Sequence, residues 1–151
     1  MAKIHAKRMH ARKNLLGLTA ACITAAVTIP VAASPAAAES VGASCSIRGA
    51  KGRGSWEFVD ANSIKNVNLT VTDTAADGHH VTIQLTTVDR NLKSHSWKRH
   101  HVYDGKGASH TWTTSATDSR GLKYVYIEVN LMDGDESLEM CNDRSITNPY
   151  I

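Results

Sequence analysis

Between Val67 and Leu85 the chain alternates apolar and polar residues in two runs. Val67, Leu69 and Val71 fall on one side of the first run, with Asn68, Thr70 and Thr72 on the other. Val81, Ile83 and Leu85 repeat the pattern in the second, opposed by Thr82, Gln84 and Thr86. A period of two carried by β-branched residues marks a half-buried strand, because successive side chains of a pleated chain point to opposite faces. Asp77-Gly78 stands between the runs, and Gly78 can adopt the positive φ that a tight turn demands. The pattern predicts a β-hairpin with one dry face, Val67, Leu69, Val71, Val81, Ile83 and Leu85, and one wet face. Asp77, His79 and His80 then sit at its exposed tip, where loops of a rigid scaffold do their binding.

The same alternation returns from Lys123 to Leu131, with Val125, Ile127, Val129 and Leu131 on the dry side and Tyr124, Tyr126, Glu128 and Asn130 opposite. Shorter strands are expected at Cys45 to Ile47, around Trp56 and Phe58, through the basic and aromatic stretch Lys93 to His101, from Ser109 to Ser115, and at Leu138 to Cys141. Gly49, Gly52 and Gly54, interleaved with Lys51 and Arg53, read as a flexible basic turn. They lack the strand-loop-helix setting and the Lys-Ser or Lys-Thr ending of a phosphate-cradling loop. Glu39 to Ala43 reads as a frayed start and Ile146 to Ile151 as a tail. No helix-period segment of useful length follows residue 39, and Pro30, Pro35 and Pro149 all lie outside the strand region. These elements predict an all-β fold, a small antiparallel β-sandwich of about seven or eight strands.

The amino-terminal segment changes both the charge and the cysteine count. Lys3, Lys7, Arg8, Arg12 and Lys13 precede an apolar stretch from Leu15 to Val31, and Pro35 precedes Ala36-Ala37-Ala38. That order is a secretory signal peptide, with cleavage expected after Ala38 and a single secreted domain from Glu39 to Ile151. Thr19, Thr24, Thr28 and Pro30 interrupt the apolar stretch, and nothing later approaches the roughly 20 apolar residues of a membrane span. The whole chain carries 17 Lys and Arg against 14 Asp and Glu. Five of the bases and none of the acids lie before residue 39, so the expected domain has 12 against 14, a net of −2. The basic precursor pI therefore gives no reason to expect nucleic acid as partner. Cys22 leaves with the signal, and the remaining Cys45 and Cys141 are expected to form a disulfide.

Four chemistries can be weighed against the residues. His79, His80, His95, His100, His101 and His110 supply imidazoles, but neighbouring histidines on a strand point to opposite faces, and no spacing gathers the three or four ligands that a metal needs. Asp133, Asp135, Glu136 and Glu139 offer oxygens without the spacing of a calcium loop. No Gly-x-Ser-x-Gly elbow or His-Glu-x-x-His motif marks a hydrolase, so no catalytic residue, metal or cofactor is assigned. A secreted hydrolase or a histidine-based metal-binding protein stays as the alternative, since such sites are recognised by geometry and not by chain order. The fourth candidate is a binding surface of Trp97, Lys98, Arg99, His100, Tyr103, His110 and Trp112, where aromatics flanked by cations can stack on sugar rings or grip a protein. With only one Phe in the chain, Trp56 and one of Trp97 and Trp112 are also wanted in the core.

The signal, the two-cysteine frame, the Leu-x-Val-x-Asp-Thr-x-x-Asp-Gly-His run from Leu69 to His79 and the Asn148-Pro149-Tyr150 ending together resemble small secreted two-cysteine proteins common in actinomycetes. The resemblance implies no catalytic residue and no activity. The expectation is a secreted, monomeric, disulfide-closed β-sandwich that acts as a non-catalytic binding module toward an extracellular glycan or protein, with no nucleic acid and no membrane span.

Overall fold

A computed structural model describes residues 40–143 and 145–151. The signal segment 1–38 and Cys22 lie outside the described residues. Those that are described form ten strands: β1 (Ser40–Ile47), β2 (Ala50–Phe58), β3 (Ser63–Asp73), β4 (His80–Val88), β5 (Ser94–Ser96), β6 (His100–Val102), β7 (Ser109–Thr117), β8 (Tyr124–Asp133), β9 (Glu136–Asn142) and β10 (Ile146–Thr147). Seven are long, and the two or three residues of β5, β6 and β10 account for the excess over seven or eight. All pairings are antiparallel, and they build two sheets in a sandwich-like arrangement that is not a closed barrel. Among the described residues no helix is long and apolar enough to cross a membrane.

Sheet A runs β1-β2-β3-β7. In sheet B, β8 and β4 lie side by side along nearly their whole length. Beyond β4, β5 pairs with Thr86–Val88 and β6 with Val81–Ile83. Beyond β8, β9 pairs along Glu128 to Asp133 and β10 at Tyr124 and Val125. The core lies between the sheets, where Trp56, Ile64, Val67, Leu69 and Val71 meet Val81, Ile83, Leu85, Val125, Ile127 and Val129, all essentially without exposure.

The predicted hairpin is not one. Gly78 does have a positive φ of 79°, but β3 belongs to sheet A and β4 to sheet B, so the connection is an arch between layers. Before leaving sheet A the chain stays bonded to it, with Asp73 N–H donating to Ala108 O and Thr74 N–H to Gly49 O, each at 2.9 Å. The two apolar faces then close on each other across the core, which buries both. Alternation alone cannot distinguish these outcomes, since it specifies a dry face and not the partner that covers it.

Two further expectations change. Gly52 and Gly54 are not a turn but lie within β2, directed at the opposite sheet. A Cβ at Gly52 would collide with Val129 Cγ2, and one at Gly54 would stand 2.6 Å from Ile127 Cγ2. Their lack of side chains lets the sheets approach. The polar face of β4 is also not wet, for Thr82, Gln84 and Thr86 are buried. A network covers it: Gln84 Nε2 donates to Trp97 O at 2.5 Å, Arg99 Nη2 donates to Gln84 Oε1 and to Glu128 Oε1, each at 3.1 Å, and Asn130 Nδ2 donates to Glu128 Oε1 at 3.2 Å.

The start and the tail are ordered as well. β1 begins at Ser40, and Asn148 is fully buried, its Nδ2 donating to Asp60 O at 2.9 Å. Cys45 and Cys141 are joined, with Cα atoms 6.1 Å apart, within the usual range for a disulfide. The bond staples the β1 edge of sheet A to β9 of sheet B. One side of the sandwich is thereby closed; the side formed by β7 and by β5 with β6 is open.

Candidate functional site: a cleft at the open edge

The open edge follows from the sequence of β7. Register places Trp112 opposite Leu69, His110 opposite Val71 and Thr114 opposite Val67, so all three point to the inner side of sheet A. They lie beyond the cover that β4 and β8 supply, and only Ala116 of this strand is buried. On the facing sheet, β6 alternates in the same way. His100 lies opposite Ile83 and faces inward, whereas His101 lies opposite Thr82 and faces outward.

Between these edges is a cavity of about 200 Å³ with Leu69 and Leu85 as its floor, lined further by Trp97, Lys98, His100, Trp112, Thr113, Thr114 and Ser115. His100 and Trp112 stack across it, ring centres 4.6 Å apart and planes 20° apart. His110 lies alongside, its ring centre 5.9 Å from that of Trp112, and its Nε2 is 2.8 Å from Asp104 Oδ2. Trp97 is fixed at both ends, its backbone N–H donating to Leu85 O and its indole N–H to Thr87 Oγ1, each at 3.0 Å. His95 abuts it edge-on at 4.7 Å. Burial holds the His100 ring pKa below the ordinary histidine value, with Lys98 and then His101 acting in the same direction, so the ring on Trp112 is neutral at neutral pH. Aromatic walls, an apolar floor, one cation and a few hydroxyls make a site that holds a ring with an apolar face and hydroxylated edges.

Of the residues singled out in the sequence, Trp97, Lys98, His100 and Trp112 meet in this cleft and His110 stands beside it. Arg99 and Tyr103 do not. Arg99 turns to the outer face of sheet B, where it is bonded to Gln84 and Glu128. Tyr103, exposed, forms a separate stack there with His80 at 4.4 Å and His101 at 5.6 Å. In that stack Tyr103 Oη and His80 Nε2 each lie 3.2 Å from His101 Nδ1. The arch residues are apart from the cleft: Asp77 Oδ1 accepts the His79 N–H at 3.1 Å, and His79 Nδ1 lies 4.0 Å from Asp133. His80 is buried, and its ring pKa is lowered, first by burial and then by His101.

Sequence reasoning missed the floor and the mouth. Leu69 and Leu85 read as pure core, and the signal that they are partly a site floor is the absence of aliphatic residues from the inner positions His110, Trp112 and Thr114 of β7. Trp97 and Trp112 are both partly core and partly site.

Among the described residues no group of three or more His, Cys, Asp or Glu is placed to hold a metal ion. The His110–Asp104 pair resembles two members of a hydrolytic triad, but among the described residues no serine or cysteine side chain bonds to that histidine. Comparison with family models, with curated proteins and with solved structures finds no match.

Proposed function

We propose that this chain is a secreted, non-catalytic binding module of the small two-cysteine kind, and that the cleft at its open edge holds one ring of an uncharged glycan. The observation that carries this reading is the cleft itself, with Trp97, His100 and Trp112 around a Leu69 and Leu85 floor and Lys98, Thr113, Thr114 and Ser115 at its lip. Aromatic side chains stack on the C–H face of a sugar, while Lys98 and the Thr114 hydroxyl at the lip supply donors and an acceptor for its hydroxyls. A volume below the roughly 300–1,000 Å³ of a pocket for a drug-sized ligand limits the site to a single ring. The disulfide between the sheets suits an oxidising, extracellular destination.

The test is calorimetric titration with cellohexaose, chitohexaose and maltohexaose, comparing the native chain with Trp112→Ala and Trp112→Tyr. One of these glycans should bind the native chain, at least about tenfold more weakly to Trp112→Ala, with recovery in Trp112→Tyr. Binding that is equal in all three proteins, or absent throughout, contradicts the proposal.

A further inference from the structure

The outer face of sheet A carries a second concave surface, separated from the cleft by the thickness of the sheet. A groove of about 620 Å³ is lined there by Ser44 and Ser46 of β1, Lys51 and Arg53 of β2, and Thr70 and Thr72 of β3. Register sets these side chains in two rungs, Ser44, Arg53 and Thr70 in one and Ser46, Lys51 and Thr72 in the other. β7 lengthens both, since the hydroxyls of Thr70 and Thr111 are 2.7 Å apart and those of Thr72 and Ser109 2.8 Å apart. Each rung is a cation flanked by hydroxyls. Two residues of strand separate the rungs, about 6.6 Å.

Three cations elsewhere in the molecule are spent on carboxylates. Lys65 lies 3.4 Å from Glu57 at the far end of the same face, Arg99 3.1 Å from Glu128, and Arg120 2.8 Å from Asp118. Lys51 and Arg53 are exposed, and neither forms an ion pair among the described residues. The Asp143 carboxylate accepts the Ser44 N–H at the groove's margin. The alternation Lys51-Gly52-Arg53-Gly54 serves both layers: the glycines bring the sheets together on one side, and the two cations project on the other.

We propose that this groove binds an anionic polysaccharide, with one sulfate, phosphate or carboxylate of the polymer on each cation and the sugar hydroxyls on the rows of Ser and Thr. Arg53 can grip an oxyanion with two parallel N–H donors, and Lys51 acts as a point charge. Nucleic acid fits less well, because no aromatic side chain lines the groove to stack a base.

The site is independent of the cleft, and so is its test. The chain produced by a secreting host is titrated with a heparin hexasaccharide, with neutral dextran and with a single-stranded DNA oligonucleotide. Lys51→Gln/Arg53→Gln is compared with Lys93→Gln/Lys106→Gln, which removes the same charge elsewhere, and with Trp112→Ala. The expected result is binding of heparin in preference to both other probes, weakened at least about tenfold in Lys51→Gln/Arg53→Gln. The Lys93→Gln/Lys106→Gln and Trp112→Ala proteins should keep native affinity. Equal loss in the two charge-reduced proteins, unchanged affinity in Lys51→Gln/Arg53→Gln, preference for DNA, or no binding of heparin each overturns the proposal. Melting curves of the two charge-reduced proteins must coincide; if Lys51→Gln/Arg53→Gln does not fold, Arg53→Gln alone is used, and native affinity in that protein likewise overturns the proposal.

Discussion

The distance between the two sheets depends on side chains that are missing. At Gly52 a methyl group would strike Val129 Cγ2, and at Gly54 it would press on Ile127. Gly52→Ala is therefore expected to destabilise the fold by about 1–3 kcal/mol, the usual cost of overpacking. Urea denaturation measures this, and an unchanged midpoint contradicts the packing described. Glycine in a sequence is read first as a breaker of strands; here the demand for close approach wins, and nothing local to Arg48–Ser55 signals it, because the colliding atoms belong to β8. Titrating residues yield a second prediction. Burial comes first in holding the ring pKa values of His80 and His100 below the ordinary 6.5. The unfolded chain thus takes up protons first as pH falls, so their contribution to stability is full above about 6.5 and declines below it. Asp118, held at about 2 against an ordinary 3.8, first by its hydrogen bonds from the Arg120 side chain, acts in the same sense at lower pH. Its contribution is complete above 3.8 and disappears as pH falls toward 2. Melting temperature should fall in two steps on acidification, the first flattened in His80→Gln/His100→Gln and the second in Arg120→Ala. A native profile with no loss between about pH 7 and 5 contradicts the histidine assignment.

At the scale of elements, the strands themselves were legible and their partners were not. The alternation of β3, β4 and β8 marks the apolar face that each turns to the core, and Val67, Leu69, Val71, Val81, Ile83 and Leu85 are all core. Asp77-Gly78 suits a turn between paired strands, but six residues separate Asp73 from His80, enough to cross from one layer to the other. The polar face of β4 departs from its pattern for a related reason. Periodicity reports the polarity of a face, whereas Thr82, Gln84 and Thr86 are all buried, Gln84 with bonds to Trp97 and Arg99, which arrive from elsewhere in the chain. The disulfide was legible from counting alone. It closes a separation of 96 residues, and Cys45→Ser/Cys141→Ser is expected to lose up to about 4–5 kcal/mol in the chain-entropy model. Chemical denaturation of the two proteins under non-reducing conditions measures the loss; a difference below about 1 kcal/mol would show that the staple between β1 and β9 constrains little.

As a whole molecule, the sandwich is asymmetric. The disulfide and β9 close one side, and the opposite side, where β7 faces β6, opens into the aromatic cleft. That asymmetry explains why part of the site was legible. Trp97, Lys98 and His100 come from the stretch rich in aromatics and cations, and Trp112 from the Thr-rich strand after it, both of which the sequence displays. Arg99 belongs to the first stretch and Tyr103 follows it by two residues, but both emerge on the outer face, because the face of each residue is set by strand register that composition does not reveal. Loss of the cleft by Trp112→Ala should leave the fold standing, since the core beneath is held by Leu69, Leu85 and the fully buried Trp56. The three tryptophans also supply the most direct measurement. In a nitrogen-proton correlation spectrum, titration with a glycan that binds in calorimetry should shift the indole N–H resonances of Trp97 and Trp112 and leave that of Trp56 in place. A bound glycan that leaves Trp97 and Trp112 unmoved contradicts the cleft as the binding site.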